Sequence, residues 1–232
     1  MLQQIRLLVF DLDYLIFDCS VLKTQALQQS LISIADSIPH HVRLPDAADI
    51  EAAFREHGHR WLHFLELELA TEALTELEQA YRVQEGRLIE AGIGRSYPGV
   101  PEVLHMCHQE GISAALGAEA AREYLMTVSD RHELDRYFDI SLCTAEYGGG
   151  GTEEMLSDIL NRAEINPSEA LVLGTRPAFF EASHGLDLLT LGCAWGLQHK
   201  DALKASDFQS GCVEEILPVI RRADEIAARF SR

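Results

Sequence analysis

Leu7-Leu8-Val9-Phe10-Asp11-Leu12-Asp13-Tyr14-Leu15-Ile16-Phe17-Asp18 is the stretch on which the reading of this chain turns. It lies on the apolar run Ile5 to Phe10, which has strand length and stops abruptly at two aspartates separated by one leucine. A short run that is apolar at every position is expected of a central parallel strand covered on both faces. The C-terminal end of such a strand is where open α/β sheets bind their ligands. A carboxylate at that edge, with a second two residues later, can steer a proton or help gather a cation. Spacing alone leaves a second reading, in which Asp11 and Asp13 solvate a strand end or cap a helix.

Outward from this stretch, apolar runs of strand length recur at Ile112 to Leu116, Ile140 to Cys143, Ala170 to Leu173 and Leu188 to Leu191. Helical patterns separate most of them, which predicts an α/β protein with a parallel sheet. The segment from Val21 to Glu90 is different: rich in Gln, Glu, Ala and Leu, and without a convincing strand. It reads as a separate helical bundle, divided at Pro39 and Pro45. Within it Trp61, Leu62, Leu65 and Leu69 mark a buried helix face. Tyr97-Pro98-Gly99-Val100-Pro101 carries turn chemistry and returns the chain to the α/β part. A last helix, with Ile216, Ile220, Ala223, Ala227 and Phe230 on one face, is expected to pack on the sheet. No internal repeat is present, and the low-complexity stretch is Gly148 to Gly151.

Composition excludes several classes. With 232 residues the chain can bury a sizeable core. Its 19 Lys and Arg against 37 Asp and Glu give a net charge of −18, which repels nucleic-acid backbones and anionic lipid headgroups. No nucleic-acid or membrane partner is expected. No run approaches the roughly 20 apolar residues needed to span a bilayer, and the N-terminus shows no leader pattern, so the expected location is the cytoplasm. The cysteines, at positions 19, 107, 143, 193 and 212, are odd in number, scattered and without a C-x-x-C pair. They are expected to be small packing residues rather than disulfides or zinc ligands.

The stretch from Leu7 to Asp18 closely resembles the first motif of the haloacid dehalogenase superfamily. The helical segment that follows is similar to the cap of the phosphoglycolate-phosphatase-like branch, and Tyr97-Pro98-Gly99-Val100 resembles the turn by which that branch re-enters its core. Arg136-Tyr137-Phe138-Asp139 and Glu146-Tyr147-Gly148 resemble the approach to the third motif, and Pro167 to Gly174 the approach to the fourth. The resemblance covers nearly the whole chain. It implies a Rossmann-like α/β core of residues 1–18 and 96–232 with an inserted all-helical cap of residues 19–95. It also implies phosphoryl transfer to Asp11 as nucleophile, with Asp13 as general acid and base, and Mg²⁺ held in part by Asp11 and Asp13. The implied substrate is a small phosphorylated molecule.

Elsewhere the motifs depart from the family. The second-motif hydroxyl falls on Ala118, beside Gly117, which offers only its backbone to a substrate. The third-motif lysine falls on or beside Gly151, followed by Thr152 in place of the usual proline. In the fourth motif Thr175 stands where the first acid belongs, and Phe179 or Phe180 where the second belongs. Tyr14 and Leu15 replace the usual Gly and Thr of the first motif. Losing one preorganised donor at a developing charge costs about 2.7 to 4 kcal/mol, and Mg²⁺ is poorly held by one or two carboxylates alone. The reading is therefore a phosphatase-like hydrolase that is weak or inactive. Its alternative is a non-catalytic pseudophosphatase that binds a ligand or another protein.

Two replacements offer a third reading, an active enzyme rebuilt around Arg176. Its guanidinium could bind a substrate phosphate bidentately, and the amides of Gly148 to Gly151 could form an anion nest. Against this stand an exposed arginine and a floppy turn. Glu181 is expected to face outward. His57, His59 and His63 are expected to be a solvated cluster and His40-His41 a loop, while Cys19, without a base partner, is expected to pack.

Overall fold

The computed structural model describes residues 5–35, 45–65, 67, 69–148, 151–196 and 201–222. Among these, a six-stranded parallel sheet is built from β1 (Leu7–Phe10), β4 (Ser113–Ala118), β5 (Ile140–Cys143), β6 (Ala170–Gly174), β7 (Leu189–Cys193) and β8 (Phe208–Ser210). Its order is β5-β4-β1-β6-β7-β8, so the strand ahead of Asp11 runs down the middle. Phe10 pairs with Leu116 on one side and Leu173 on the other.

Successive residues of β1 face opposite sides of the sheet, and each side has its own core. Leu7 and Val9 pack with Leu142, Val172, Leu156, Ile159 and Phe179. Here the cover is α6 (Thr152–Ala163) and α7 (Pro177–Gly185). Leu8 and Phe10 face the other side, with Leu104, Cys107, Leu125 and Val128. Those four lie on α4 (Val100–Gln109) and α5 (Arg122–His132). Each fully buried aliphatic or aromatic side chain contributes about 1.5 to 3 kcal/mol, and the uninterrupted apolar run of β1 follows from burial on two faces.

Between the short antiparallel strands β2 (Phe17–Asp18) and β3 (Arg95–Ser96) lies the helical insertion. It contains α1 (Ser20–Ser33), α2 (Ala47–His57), a 3₁₀ segment (Gly58–Phe64) and α3 (Thr71–Glu90). Asp46 caps α2 by accepting from the Ala48 and Asp49 N–H groups, both at 2.9 Å, so this helix starts two residues after Pro45. Pro39 and the His40-His41 pair lie outside the described residues.

One expectation changes, and one strand is not read from the sequence. Trp61, Leu62 and Leu65 are buried as read, but they do not lie on an α-helix. Gly58, at φ +56° and ψ −134°, ends α2, and the chain continues in 3₁₀ turns whose pitch brings Trp61 and Leu62 inward. The strand β8 carried no apolar run of its own, because as an edge strand it buries only part of its length. Residues 216–222 are helical with Ile216 and Ile220 buried, while Ala223, Ala227 and Phe230 fall outside the described residues. No described helix is long and apolar enough to cross a membrane.

Candidate active site

Three adjacent strands deliver the central charges. Asp11 follows β1, Glu119 follows β4, and Arg176 stands two residues beyond β6, at the N-terminus of α7. Arg176 Nη2 lies 3.1 Å from Asp11 Oδ2, and its Nη1 donates to Glu119 Oε2. Glu119 Oε1 accepts in turn from the Thr152 hydroxyl at 2.6 Å. Arg176 is 2% exposed and Asp11 1%. The other oxygen of Asp11 accepts the Leu12 N–H at 2.8 Å, so both carboxylate oxygens are engaged. Burial pushes the Asp11 carboxyl up to about 6, with the guanidinium pulling the other way.

Asp13 is held by a different set. A tight turn folds residues 12–17 back on themselves, with the Ile16 and Phe17 N–H groups donating to the Leu12 carbonyl at 3.0 Å each. Tyr14, in the position where the family usually has glycine, takes φ +60°, a conformation that costs an L-residue roughly 1 to 2 kcal/mol. The turn carries Asp13 toward the helical insertion. Asp13 Oδ2 lies 2.9 Å from Lys23 Nζ, and Oδ1 accepts from the Tyr124 hydroxyl at 2.6 Å. Lys23 Nζ sits 4.3 Å from the centre of the Phe54 ring, and the Arg176 guanidinium carbon 5.3 Å from the same ring. One aromatic side chain of α2 thus covers both cations. Buried Glu85, accepting from the Tyr81 hydroxyl at 2.7 Å, is pushed by burial up to about 7.

A cavity of about 340 Å³ is lined by Asp13, Glu119 and Tyr124 from the α/β part and by Lys23, Trp61, Tyr81, Arg82 and Glu85 from the insertion. Asp13 faces this space, whereas Asp11 and Arg176 lie behind it, outside the lining. Asp11 is 1% exposed, and the guanidinium of Arg176 lies against it. The site is also not stripped of charge, since Lys23, Arg176, Glu85 and Glu119 crowd around the two aspartates. Arg176 itself is buried rather than exposed.

The remaining positions read from sequence lie apart. Ala118 is 1% exposed and does not line the cavity. Gly117 also lies outside the lining, and a Cβ there would meet Ile159 and Met155 at 3.2 Å. Thr175 is fully buried with its Oγ1 unbonded. Phe179 and Phe180 are fully buried, and Glu181 is exposed. Gly149 and Gly150 lie outside the described residues. His63 pairs with Glu78 at 2.5 Å, and among the described residues no three His, Cys, Asp or Glu side chains gather as a metal site. Cys19 is fully buried and its thiol is pushed up by that burial, as a packing residue would be.

Mg²⁺, which the family resemblance implies, does not fit this donor set. It requires oxygen ligands at about 2.0 to 2.1 Å in near-octahedral array. Here the Asp11 oxygen not bonded to Leu12 is already in contact with a guanidinium, and the fourth-motif positions offer an inward-buried threonine and two phenylalanines.

Lys23, Glu119, Tyr124 and Glu85 were not singled out from sequence. One signal was present: Lys23 shares the stripe of Ala26, Leu27 and Ser30 on α1, at i, i+3, i+4 and i+7, and all four are buried. A lysine on an apolar stripe needs a carboxylate partner. For Glu119, next to the small second-motif residue, no pattern distinguished it.

Comparison with known proteins agrees with this architecture. A family model described as haloacid dehalogenase-like hydrolase matches residues 5–177. A phosphoglycolate phosphatase of Vibrio vulnificus strain YJ016 is 25% identical over 236 residues, covering 94% of this chain and 97% of its own. A putative phosphoglycolate phosphatase structure from Lactobacillus delbrueckii superposes with a TM-score of 0.78 at 13% identity, covering 94% of this chain and 98% of the other. The structure of CbbY from Rhodobacter sphaeroides in complex with phosphate gives 0.74 at 14% identity, covering 92% and 96%.

Proposed function

The chain belongs to the haloacid dehalogenase-like hydrolase family, and on that premise we propose that it is a phosphatase-like member with little or no phosphoester hydrolysis, which binds a small molecule in the cavity facing Asp13. The observation that carries this reading is the pairing of each aspartate with an internal cation, Asp11 with Arg176 and Asp13 with Lys23. A nucleophilic carboxylate must be reached by phosphorus, and Asp11 is 1% exposed with the Arg176 guanidinium against one oxygen and the Leu12 N–H on the other. A general acid and base must be able to reach the leaving group, and Asp13 is tethered at both oxygens, to the Lys23 ammonium at 2.9 Å and to the Tyr124 hydroxyl at 2.6 Å.

Charge supports the same conclusion. An arriving phosphate dianion meets the carboxylates of Asp11, Asp13 and Glu119, while Arg176 and Lys23 are already committed to them. Such a cluster stabilises added negative charge poorly. The helical residues 19–95 act in this reading as a cap over a core of residues 1–18 and 96–232, since Lys23, Trp61, Tyr81 and Glu85 all come from them. The described cysteines are all free, as suits a reducing cytoplasm.

The test is turnover of a broad panel of phosphate monoesters with Mg²⁺ by the wild-type chain and by Asp11→Asn. Background rates that do not differ between the two are expected. Mg²⁺-dependent turnover that disappears in Asp11→Asn would overturn the proposal.

A further inference from the structure

We propose that the guanidinium of Arg176 occupies the cation position of this centre, so that Asp11 and Glu119 form a divalent-cation site that becomes available only when the guanidinium is removed. The inference rests on the reading that the centre is internally neutralised, and adds what takes the place of the metal and which second carboxylate would hold one.

Two carboxylates contact two different nitrogens of one planar group, so their oxygens stand about one guanidinium apart, with Asp11 buried on one side and Glu119 at the edge of the cavity on the other. Arg176 bridges the two acids. The Asp11 backbone N–H is fixed to Leu173 O at 2.9 Å and Glu119 is tied to Thr152, so both acids are held by the sheet and α6 independently of the arginine. Hard divalent ions prefer such facing carboxylates, supplemented by water. Arg176 Nε is buried without a hydrogen-bond partner, which marks the side chain as placed for its two terminal nitrogens.

The insertion is shaped around the same group. Gly58 lies so close that a Cβ there would sit 2.6 Å from Arg176 Nη1 and 2.8 Å from Glu119 Oε2. Phe54, one turn earlier on α2, lays its ring 5.3 Å from the guanidinium carbon. The helical insertion therefore packs on an organic cation, with the aromatic face that such a cation favours. A hydrated metal ion has no comparable preference for that wall.

Isothermal titration and thermal melting with Mg²⁺ and with Mn²⁺ test this without reference to activity. The wild-type chain is expected to show no Asp11-dependent binding and no metal-dependent rise in melting temperature. Arg176→Ala and the bulkier Arg176→Gln are expected to gain metal binding and a metal-dependent rise in melting temperature, and both gains should vanish when Glu119→Gln is added. If the arginine variants unfold without metal, refolding with Mn²⁺ is expected to recover the native circular dichroism. Folded arginine variants that bind no metal, unfolded ones that Mn²⁺ does not rescue, or wild-type binding lost in Asp11→Asn would each overturn the proposal. Absence of phosphatase activity together with failed metal gain would reject the cation exchange alone.

Discussion

Lys23 Nζ lies 2.9 Å from Asp13 Oδ2, and both side chains are buried, one on the first helix of the insertion and the other on the turn after the central strand. The helical insertion thus supplies a cation to the second aspartate, in the same centre where Arg176 supplies one to the first. This ties the insertion to the core electrostatically as well as by packing, because burying either charge alone is costly.

Lys23→Met leaves Asp13 with only the Tyr124 hydroxyl. A loss of about 3 to 5 kcal/mol is expected, the usual cost of breaking a buried ion pair from one side. Adding Asp13→Asn should restore most of it. Urea denaturation of the two variants measures both values; equal stability of Lys23→Met and wild type would contradict the pairing.

Stability should depend on pH with an inverted sign for two carboxyl groups. Asp11 and Glu85 have folded values raised to about 6 and about 7, above their ordinary values of 3.8 and 4.5. Between those limits the folded chain binds more protons than the unfolded one, so these groups favour folding most at the acidic end of the window. Their contribution declines as pH rises toward 7, by up to about 1.4 kcal/mol per pH unit for each full proton. Glu85→Gln should flatten the upper part of this decline in chemical denaturation curves recorded from pH 5 to 8.

Glycines at positions 58 and 86 should respond oppositely to alanine. Gly58 combines positive φ with a Cβ position already crowded by Arg176 and Glu119, so Gly58→Ala should cost more than about 1 kcal/mol. Gly86 lies inside α3 with nothing within 4 Å of its Cβ position, and Gly86→Ala should stabilise by about 0.5 to 1 kcal/mol. Thermal melting of the pair reads the difference directly.

Much of the fold was legible because burial on both faces leaves a plain mark. Leu7–Phe10 and Ala170–Gly174 are apolar at nearly every position and buried throughout, and each runs where the apolar pattern placed it. The edge strand Phe208–Ser210 left no such mark, and the 3₁₀ turns at Trp61 mimic helical spacing over a few residues. At the site, Asp11 and Asp13 stood out by position on a strand end. Arg176 stood out as a candidate phosphate ligand but not as the partner of Asp11, and Glu119 and Lys23 did not stand out at all, because these groups meet through three strands and a helix that are distant in sequence. Pattern along the chain shows that Lys23 sits on an apolar stripe, but only the register of β4, β1 and β6 brings Glu119 and Arg176 to Asp11.

The most direct measurement is fluorine NMR of the chain mixed with Mg²⁺ and beryllofluoride, a mimic of the phosphoryl group that adds to an accessible aspartate oxygen. With Asp11 held by Arg176 and Leu12, no protein-bound fluorine resonance is expected for the wild-type chain. A bound resonance that needs Mg²⁺ and is lost in Asp11→Asn would contradict the account.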